Sequence, residues 1–420
     1  MLKASSLFYA TAIALVIALI SSSLILFAYF NKLRLTDYNV SERTLINSTS
    51  GLSLLLSKQN IIQLNQQKFI DLYNEGNDTV LLKRKSWGSF EVIVSKAFSA
   101  RSSSNQIALI GSGMPSEKKA IYLADQDKPL SLCGKTVIKG DCYLPKSGVK
   151  RAYIEGQSFS GNQLVEGTIK ESSKNLPPLN NELIEKIKSI ILKQMGENDS
   201  IIDMDKQQKL NDSIINSFGN NTIYLLSKEN IIFSNQVYQG NIIIISDKEI
   251  DISNNCNLQD VLVMAPVIEV EDDFEGSLQL FATDSISISK NCKLNYPSAL
   301  SLIRTTKSHN NMDIFIGEGT EIFGDVFAYE ENLSPQKQIK INIEKNVKIT
   351  GQVYSSGIVD LKGFVYGSVT CSTFLLSTPS SVYENHLLDA TIDVTKLPEK
   401  YVGINLTETE QAKKIIKWIY

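Results

Sequence analysis

A short acidic run offers the best candidate for chemistry in the sequence. This acidic patch consists of Glu269, Glu271, Asp272, Asp273 and Glu275. Carboxylate oxygens are the ligands that hard divalent cations prefer, and carboxylate pairs also serve in glycoside hydrolysis. The patch therefore predicts a site for a cation or a polysaccharide.

The other groups that catalysis would need are scarce. The chain has 2 histidines, His309 and His386, and Arg304 is the single arginine between positions 218 and 395. Elimination chemistry on a sugar acid needs a basic group that converges with the carboxylates. We therefore expect no enzyme activity, no catalytic residue, no resident metal and no cofactor.

The five cysteines are scattered and match no zinc-ligand spacing. Cys133 and Cys142 form the close pair, and the residues between them alternate apolar and polar side chains between glycines. A disulfide there would staple a short hairpin or coil in an oxidising compartment. Two free thiols are the alternative, because cysteine is often a small core residue.

Composition limits the class of protein. A chain of 420 residues is long enough for two or three domains. The net charge of -3 provides no positive field for a phosphate backbone, so nucleic acid is not an expected partner. Abundant Asn, Ser, Ile and Leu favour a mainly β, extracytoplasmic bacterial protein.

A membrane-spanning helix is predicted at residues 7–30, after an N-terminal tail at 1–6. Residues 4–31 carry no charge, and the apolar run exceeds the ~20 residues that span a bilayer. A cleaved signal peptide with an apolar region at 7–20 is the alternative. The apolar run continues past Ser23, which favours the uncleaved anchor and makes membrane lipid a partner.

Small side chains recur every four residues along this anchor. This small-residue stripe consists of Ser6, Ala10, Ala14, Ala18 and Ser22. Such spacing lets another helix approach closely, so we expect other membrane or envelope proteins as partners.

An amphipathic stalk helix is predicted at residues 31–58, with apolar positions at Val40, Leu45, Ile46, Leu52, Leu55 and Leu56. A short charged start, a long apolar helix, an amphipathic extension and a β-rich head resemble the layout of bacterial pilin-like and pseudopilin-like proteins. The resemblance covers about the first sixty residues. Residues 3–8 lack the Gly-Phe-Thr-Leu-x-Glu processing signature of those families.

The middle of the chain predicts a small β-rich domain at 59–178, followed by a helical connector at 179–217. Short alternating runs end in Gly or Ser turns in the first segment. In the second, Asn180 or Asn181 can cap a helix that ends at Gly196.

A repeat follows near residue 222. Residues 249–258 align without a gap with residues 285–294, and Cys256, Phe274 and Cys292 take equivalent positions. The recurring runs predict a parallel β-helix of about seven coils at 218–395, with excursions near 305–312 and 330–338. In outline these coils resemble those of bactofilin-like cytoskeletal proteins. A capping-box pattern at 407–410 predicts a C-terminal capping helix within 396–420.

Two functions follow from this layout. The first is a single-pass, membrane-anchored envelope protein with a structural or assembly role, as a minor component of a pilin-like system. The second is a membrane-tethered β-helix that binds or cleaves carbohydrate. Triplets such as Asp284-Ser285-Ile286 look like bacterial O-glycosylation sites. We therefore expect a bacterial inner-membrane protein whose large C-terminal region is periplasmic.

Overall fold

The computed structural model describes residues 4–57, 61–73, 76, 79–99, 102–114, 117–196, 198–206, 212–304, 312–331, 339–407 and 411–419. These residues are mainly β. The described helices are α1 (Ala4–Leu56) and α2 (Asn181–Ile191), with short 3-10 turns at Met204–Lys206 and Val394–Lys396.

The strands before the second helix are β1 (Gln66–Asp71), β2 (Thr79–Trp87), β3 (Phe90–Phe98), β4 (Ser103–Gly113), β5 (Lys119–Leu123), β6 (Leu130–Cys133), β7 (Val137–Lys139), β8 (Asp141–Leu144), β9 (Val149–Arg151), β10 (Tyr153–Ile154), β11 (Gln157–Ser158) and β12 (Ile169–Glu171). The strands after it are β13 (Ser200–Asp203), β14 (Ser213–Asn216), β15 (Ile223–Ser227), β16 (Ile231–Phe233), β17 (Val237–Gly240), β18 (Ile242–Ser246), β19 (Glu249–Ile252), β20 (Asn257–Val270), β21 (Glu275–Ile288), β22 (Lys293–Arg304), β23 (Asp313–Ile316), β24 (Glu321–Glu330), β25 (Lys340–Ile343), β26 (Lys348–Leu361), β27 (Phe364–Ser377), β28 (Val382–Glu384), β29 (His386–Leu388), β30 (Thr391–Asp393), β31 (Val402–Gly403) and β32 (Lys413–Trp418).

The chain divides into two compact units. The anchor unit comprises Met1–Lys85 and Ile93–Ile107, and the stack unit comprises Ser86–Val92 and Ala108–Tyr420. In the anchor unit, β1 and β2 pair antiparallel, with Gln66 opposite Arg84 and Asp71 opposite Thr79. Val80 and Leu82 of β2 are fully buried, because alternate side chains of a strand point to the same face.

In the stack unit, strands from successive turns of chain pair in parallel around a closed sheet, which we call the parallel stack. One buried column runs through ten strands, formed by Leu225, Ile244, Val263, Leu280, Leu300, Val326, Val353, Val369, Ile121 and Cys142. A second column is formed by Ile231, Ile250, Ile268, Ile286, Ile314, Ile341 and Val359. This architecture is compatible with the predicted β-helix. The longer excursions expected near 305–312 and 330–338 fall mostly outside the described residues.

The order of strands in the parallel stack departs from the order in the chain. Ile121 of β5 lies opposite Val369 of β27, and β8 and β12 follow beyond β5. The predicted boundary at 178 therefore does not separate two sheets, since part of the segment 59–178 extends the parallel stack. Alternating patterns predict that a strand forms, but they do not specify its partner.

Helix α2 carries the chain back along the parallel stack to its other end. Asn180 caps the helix by accepting a hydrogen bond from the Glu182 amide at 2.9 Å, as the sequence predicts. Lys188 lies 4.0 Å from Glu331, whereas Lys193 lies 2.5 Å from Asp247, several coils away. The helix ends at Ile191 instead of Gly196, and the rest of the predicted connector holds β13 and β14, which join the sheet.

The predicted C-terminal capping helix is wrong for the described residues of 396–420. Lys413–Trp418 forms β32, which pairs antiparallel with β4 and places Lys414 opposite Gly111. The adjacent β-branched residues Ile415 and Ile416 favour a strand, and β4 offers an edge with free hydrogen-bonding groups. Residues 408–410 of the expected capping box lie outside the described residues.

Candidate functional site

The first half of α1 exposes its apolar side chains. The large hydrophobic residues between Leu7 and Phe30 keep between 51% and 72% of their surface accessible. Such exposure is unfavourable in water and favourable in lipid, where a helix satisfies all its backbone groups internally. The helix is long and apolar enough to cross a membrane, a property that membrane anchors share with signal sequences.

The small-residue stripe lies on this exposed half. Ser6, Ala10, Ala14, Ala18 and Ser22 are all helical and exposed. Positions four apart on a helix advance by about 40° beyond a full turn, so the stripe drifts slowly around the axis. Its role in helix association stays a prediction.

The second half of α1 packs against strands of the anchor unit through small and polar side chains. Ser48 Oγ lies 2.9 Å from Ser104 Oγ, and the Gln106 side-chain amide donates to Thr49 Oγ1 at 2.9 Å. A Cβ at Gly51 would lie 2.5 Å from Ser95 Oγ. The backbone of α1 therefore approaches the strands as closely as glycine permits.

This contact face differs from the expected amphipathic face. Leu52 and Leu55 are buried as predicted, but Leu45 and Ile46 are exposed. In the same turns of the helix, the buried positions are Thr44, Asn47, Ser48 and Gly51. Hydrophobic periodicity misses this face, because the close approach selects small side chains instead of apolar ones.

The acidic patch is distributed around one coil instead of forming one cluster. Glu269 faces outward from β20, while Glu271, Asp272 and Asp273 lie in the turn before β21. Asp272 accepts a hydrogen bond from the Lys290 amide at 2.7 Å. Glu275 accepts a hydrogen bond from the Asn295 side chain at 3.0 Å and pairs with Lys293 at 2.9 Å, and these two contacts, Asn295 first, lower the pKa of Glu275. No three carboxylates of the patch, all five of which are described, lie within 4.8 Å of one another, and the patch stays a predicted cation or polysaccharide site.

Glu269 has acidic neighbours that sequence reasoning missed. Asp251 lies directly opposite it on β19, and the carboxylate oxygens of Glu249, Asp251 and Glu269 lie within 4.8 Å of one another. Burial raises the pKa of Glu249 and Asp251, and nearby carboxylates raise both further. Among the described residues these three could hold a hard divalent cation. The 18-residue step from Asp251 to Glu269 is the signal in the sequence that points to this cluster.

All five cysteines are free thiols in the structure. Cys133 packs with Ile154 and Leu376, whereas Cys142 belongs to the main core, where burial raises its pKa to about 12. The two cysteines thus belong to different clusters, and the disulfide between them stays a prediction. Cys256, Phe274 and Cys292 lie together in the main core, as the repeat predicts.

The remaining candidate groups are engaged in local contacts. Arg304 is buried and pairs with Asp284 at 3.3 Å. His386 Nδ1 lies 2.7 Å from the Glu384 carbonyl oxygen. His309 lies outside the described residues. The described residues therefore show no nucleophile and base within reach of each other at these positions.

A buried carboxylate that sequence reasoning missed fastens the C-terminal segment to the parallel stack. Asp325 accepts hydrogen bonds from Tyr401 Oη at 2.8 Å, the Ile404 amide at 2.6 Å and the Gln352 amide at 2.7 Å. Burial raises the pKa of Asp325, and these donors oppose that rise. An aspartate within an apolar strand is the sequence signal for such a contact, because buried carboxylates need partners.

The buried side-chain amide of Gln279 fastens the segment 87–89, at the start of the stack unit, to the parallel stack. Gln279 accepts from the Ser89 amide at 2.8 Å and donates to the Trp87 carbonyl oxygen at 3.1 Å. Gly88 between them has a φ of +63°, and a Cβ there would lie 2.3 Å from the Gln279 side chain. The outward face of the parallel stack is therefore covered by segments held through specific polar contacts.

No protein-family model matches the chain, and no curated protein matches it. Among solved structures, the chain is similar to the crystal structure of the competence-associated pilin ComZ from Thermus thermophilus. The identity is 9%, the match covers 90% of this chain and 97% of that chain, and the TM-score is 0.21. A likeness at this level carries no argument about fold or function. The resemblances to pilin-like and bactofilin-like proteins stay predictions from the sequence.

Proposed function

We propose that the chain is a single-pass, membrane-anchored structural protein of the bacterial envelope, with its parallel stack acting as a β-helical scaffold. The observation that carries the proposal is the continuity of α1. The helix runs unbroken from Ala4 to Leu56, with an apolar half exposed as in a membrane span and a second half packed on strands. The apolar half and the half that packs on strands therefore belong to one continuous helix.

An assembly role is supported by a second exposed apolar surface on α1, which we call the stalk stripe. It consists of Leu35, Tyr38, Leu45 and Ile46, each more than half exposed. These positions share one side of the helix, on which i and i+3 or i+4 positions are neighbours. A helix of another envelope protein could cover this stripe, and a minor role in a pilin-like system is the specific form we propose.

The proposed location is the inner membrane, with the stack unit in the periplasm. The Asp-Ser/Thr-aliphatic triplets support this side of the membrane, as they would be modified only outside the cytoplasm. A non-enzymatic role is supported by the local engagement of Arg304 and His386 described above.

Copurification from membranes tests the assembly role. We expect the full-length chain, extracted in mild detergent after in-cell crosslinking, to carry a defined protein partner. The double substitution Leu45→Glu with Ile46→Glu should remove that partner, because charge on the stalk stripe opposes apolar packing. Thr36→Glu, which alters an exposed position on another side of the same helix, is the matched control. Recovery of the wild-type chain as a lone monomer would contradict the assembly role and leave the anchor intact.

A further inference from the structure

Three ionisable side chains lie together on the outward face of neighbouring strands in the parallel stack. Lys340 of β25 lies directly opposite Asp313 of β23 on one side and Ile358 of β26 on the other. Asp360 comes two residues after Ile358 and faces the same way, because alternate residues of a strand share a face. The Lys340 side chain reaches across to it, and Lys340 Nζ lies 3.3 Å from Asp360 Oδ2.

Asp360 is buried although it faces away from the main core. Its side chain is 3% exposed, whereas the Lys340 side chain is 27% exposed. Asp360 Oδ1 has no hydrogen-bond partner among the described residues. A buried carboxylate is costly unless its oxygens are paired, so the ionic form of this pair is poorly compensated. A neutral product in the same place would remove that cost.

The burial of Asp360 distinguishes this pair from comparable pairs in the parallel stack. Lys362 pairs with Glu344 at 2.9 Å, and Lys348 pairs with Glu321 at 2.7 Å, each across neighbouring strands. The two glutamate side chains keep 31% and 36% of their surface exposed. Water therefore stabilises these charges, and the ion pair is the expected end state there.

Asp313 provides a base on the other side of Lys340. Burial raises the pKa of Asp313, and the charge of Lys340 opposes that rise. A carboxylate with a raised pKa takes a proton from an ammonium group more readily, which is the requirement for a general base. Asp313 can therefore accept a proton from Lys340 and pass it on.

We propose that Lys340 and Asp360 condense to an intramolecular isopeptide bond. Asp313 accepts a proton from the Lys340 ammonium group, and the free amine attacks the carboxyl carbon of Asp360. An N–C bond forms and a C–O bond of the carboxyl group breaks. The two protons that the nitrogen loses, one of them by way of Asp313, leave with that oxygen as water.

The reaction is balanced without an oxidant or a reductant, because one ammonium group and one carboxylate give one amide and one water. The product joins β25 to β26 covalently. It is a modification of the scaffold that goes beyond the structural role proposed above.

Mass spectrometry tests the bond directly. The full-length chain, extracted in mild detergent, should have an intact mass that is lower than its sequence mass by one water. Trypsin does not cleave after an acylated lysine, so the digest should contain a branched peptide that joins residues 338–345 to residues 349–362. Lys362 is about as exposed as Lys340, and its pair with Glu344 should stay unlinked.

Variants identify the reacting groups. Lys340→Arg keeps the positive charge but has no nucleophilic amine, so it should show the full sequence mass, as should Asp360→Ala. Asp313→Asn should lower the linked fraction about tenfold or more at a fixed time after synthesis, because general base catalysis contributes at least that factor. Lys362→Arg is the matched control and should keep the loss of one water.

Circular dichroism checks that each variant folds. A wild-type chain with the full sequence mass, or with tryptic peptides that end at Lys340, would overturn the proposal. A loss of water that persists in Lys340→Arg would also overturn it, because the dehydration would then lie elsewhere. Linkage in Asp313→Asn to the wild-type extent would exclude Asp313 as the base.

Discussion

The buried side chain of Asp325 accepts several hydrogen bonds, and the sequence does not reveal them. Asp325→Ala removes the acceptor for Tyr401 Oη and for the Ile404 and Gln352 amides. Leaving such buried donors unpaired costs about 1–3 kcal/mol. We expect the free energy of unfolding to fall by this amount and amide exchange at Ile404 to accelerate.

Glu321→Ala is the control for Asp325, since it alters an exposed carboxylate of the same strand. Glu321 pairs with Lys348 at 2.7 Å on the surface, and exposed pairs contribute about 0–1 kcal/mol. Exchange at Ile404 should stay unchanged in this variant. Equal exchange in Asp325→Ala and the wild type would show that Asp325 does not hold the C-terminal segment.

The raised pKa of Asp251 makes the stability of the fold depend on pH. Burial raises its pKa above the ordinary 3.8, with Glu271 adding to the rise. The unfolded chain therefore loses this proton at lower pH than the folded chain, and stability is lost as pH rises through the raised pKa. Asp251→Asn should stabilise the fold by about 0.2–1 kcal/mol at pH 7, because like charges opposite each other destabilise a sheet.

The gain from Asp251→Asn should disappear below the ordinary aspartate pKa of 3.8, where both states hold the proton. Urea unfolding at neutral and acidic pH measures this difference. Ser287→Asn, next in the same outward column, should show no such dependence. A stabilisation that persists unchanged in acid would exclude the electrostatic cause.

Helix α1 shows what periodicity can predict about an element. The long uncharged apolar run predicts the membrane-spanning half of the helix, because hydrophobicity and length can be read from the local sequence alone. The packed face of the second half is predicted incorrectly. Leu45 and Ile46 are exposed, and the helix contacts the strands through Ser48 and Gly51 instead. β32 shows the same limit, since the capping-box pattern before it predicts a helix, while pairing with the edge of β4 makes it a strand.

Gly51 provides a test of the helix packing. Gly51→Leu places a side chain where a Cβ alone would lie 2.5 Å from Ser95 Oγ and 2.7 Å from Leu82 Cδ2. Overpacking of this kind costs about 1–3 kcal/mol, even though leucine favours helix more than glycine. Thermal unfolding in detergent should show a lower midpoint. Ser53→Leu, exposed on the same turn, should not lower it, and equal midpoints for the two variants would contradict the close packing.

The arrangement of the whole stack unit depends on contacts that no local pattern reveals. The alignment of residues 249–258 with 285–294 predicts stacked coils, and the column that contains Ile250 and Ile286 is buried accordingly. That Ile121 pairs with Val369 could not be predicted, because β5 lies before the repeat and joins it from beyond its last long strand.

Trypsin accessibility in intact spheroplasts tests the membrane topology most directly. We expect added trypsin to digest the stack unit without lysis and to leave a membrane-retained N-terminal peptide that ends at Lys32, because in this topology the membrane shields the chain before the span from the protease. Protection of the stack unit until the cells are lysed would contradict the periplasmic placement. Loss of the membrane-retained peptide, with a mature chain beginning after Ser23, would show that α1 is a cleaved signal sequence instead of an anchor.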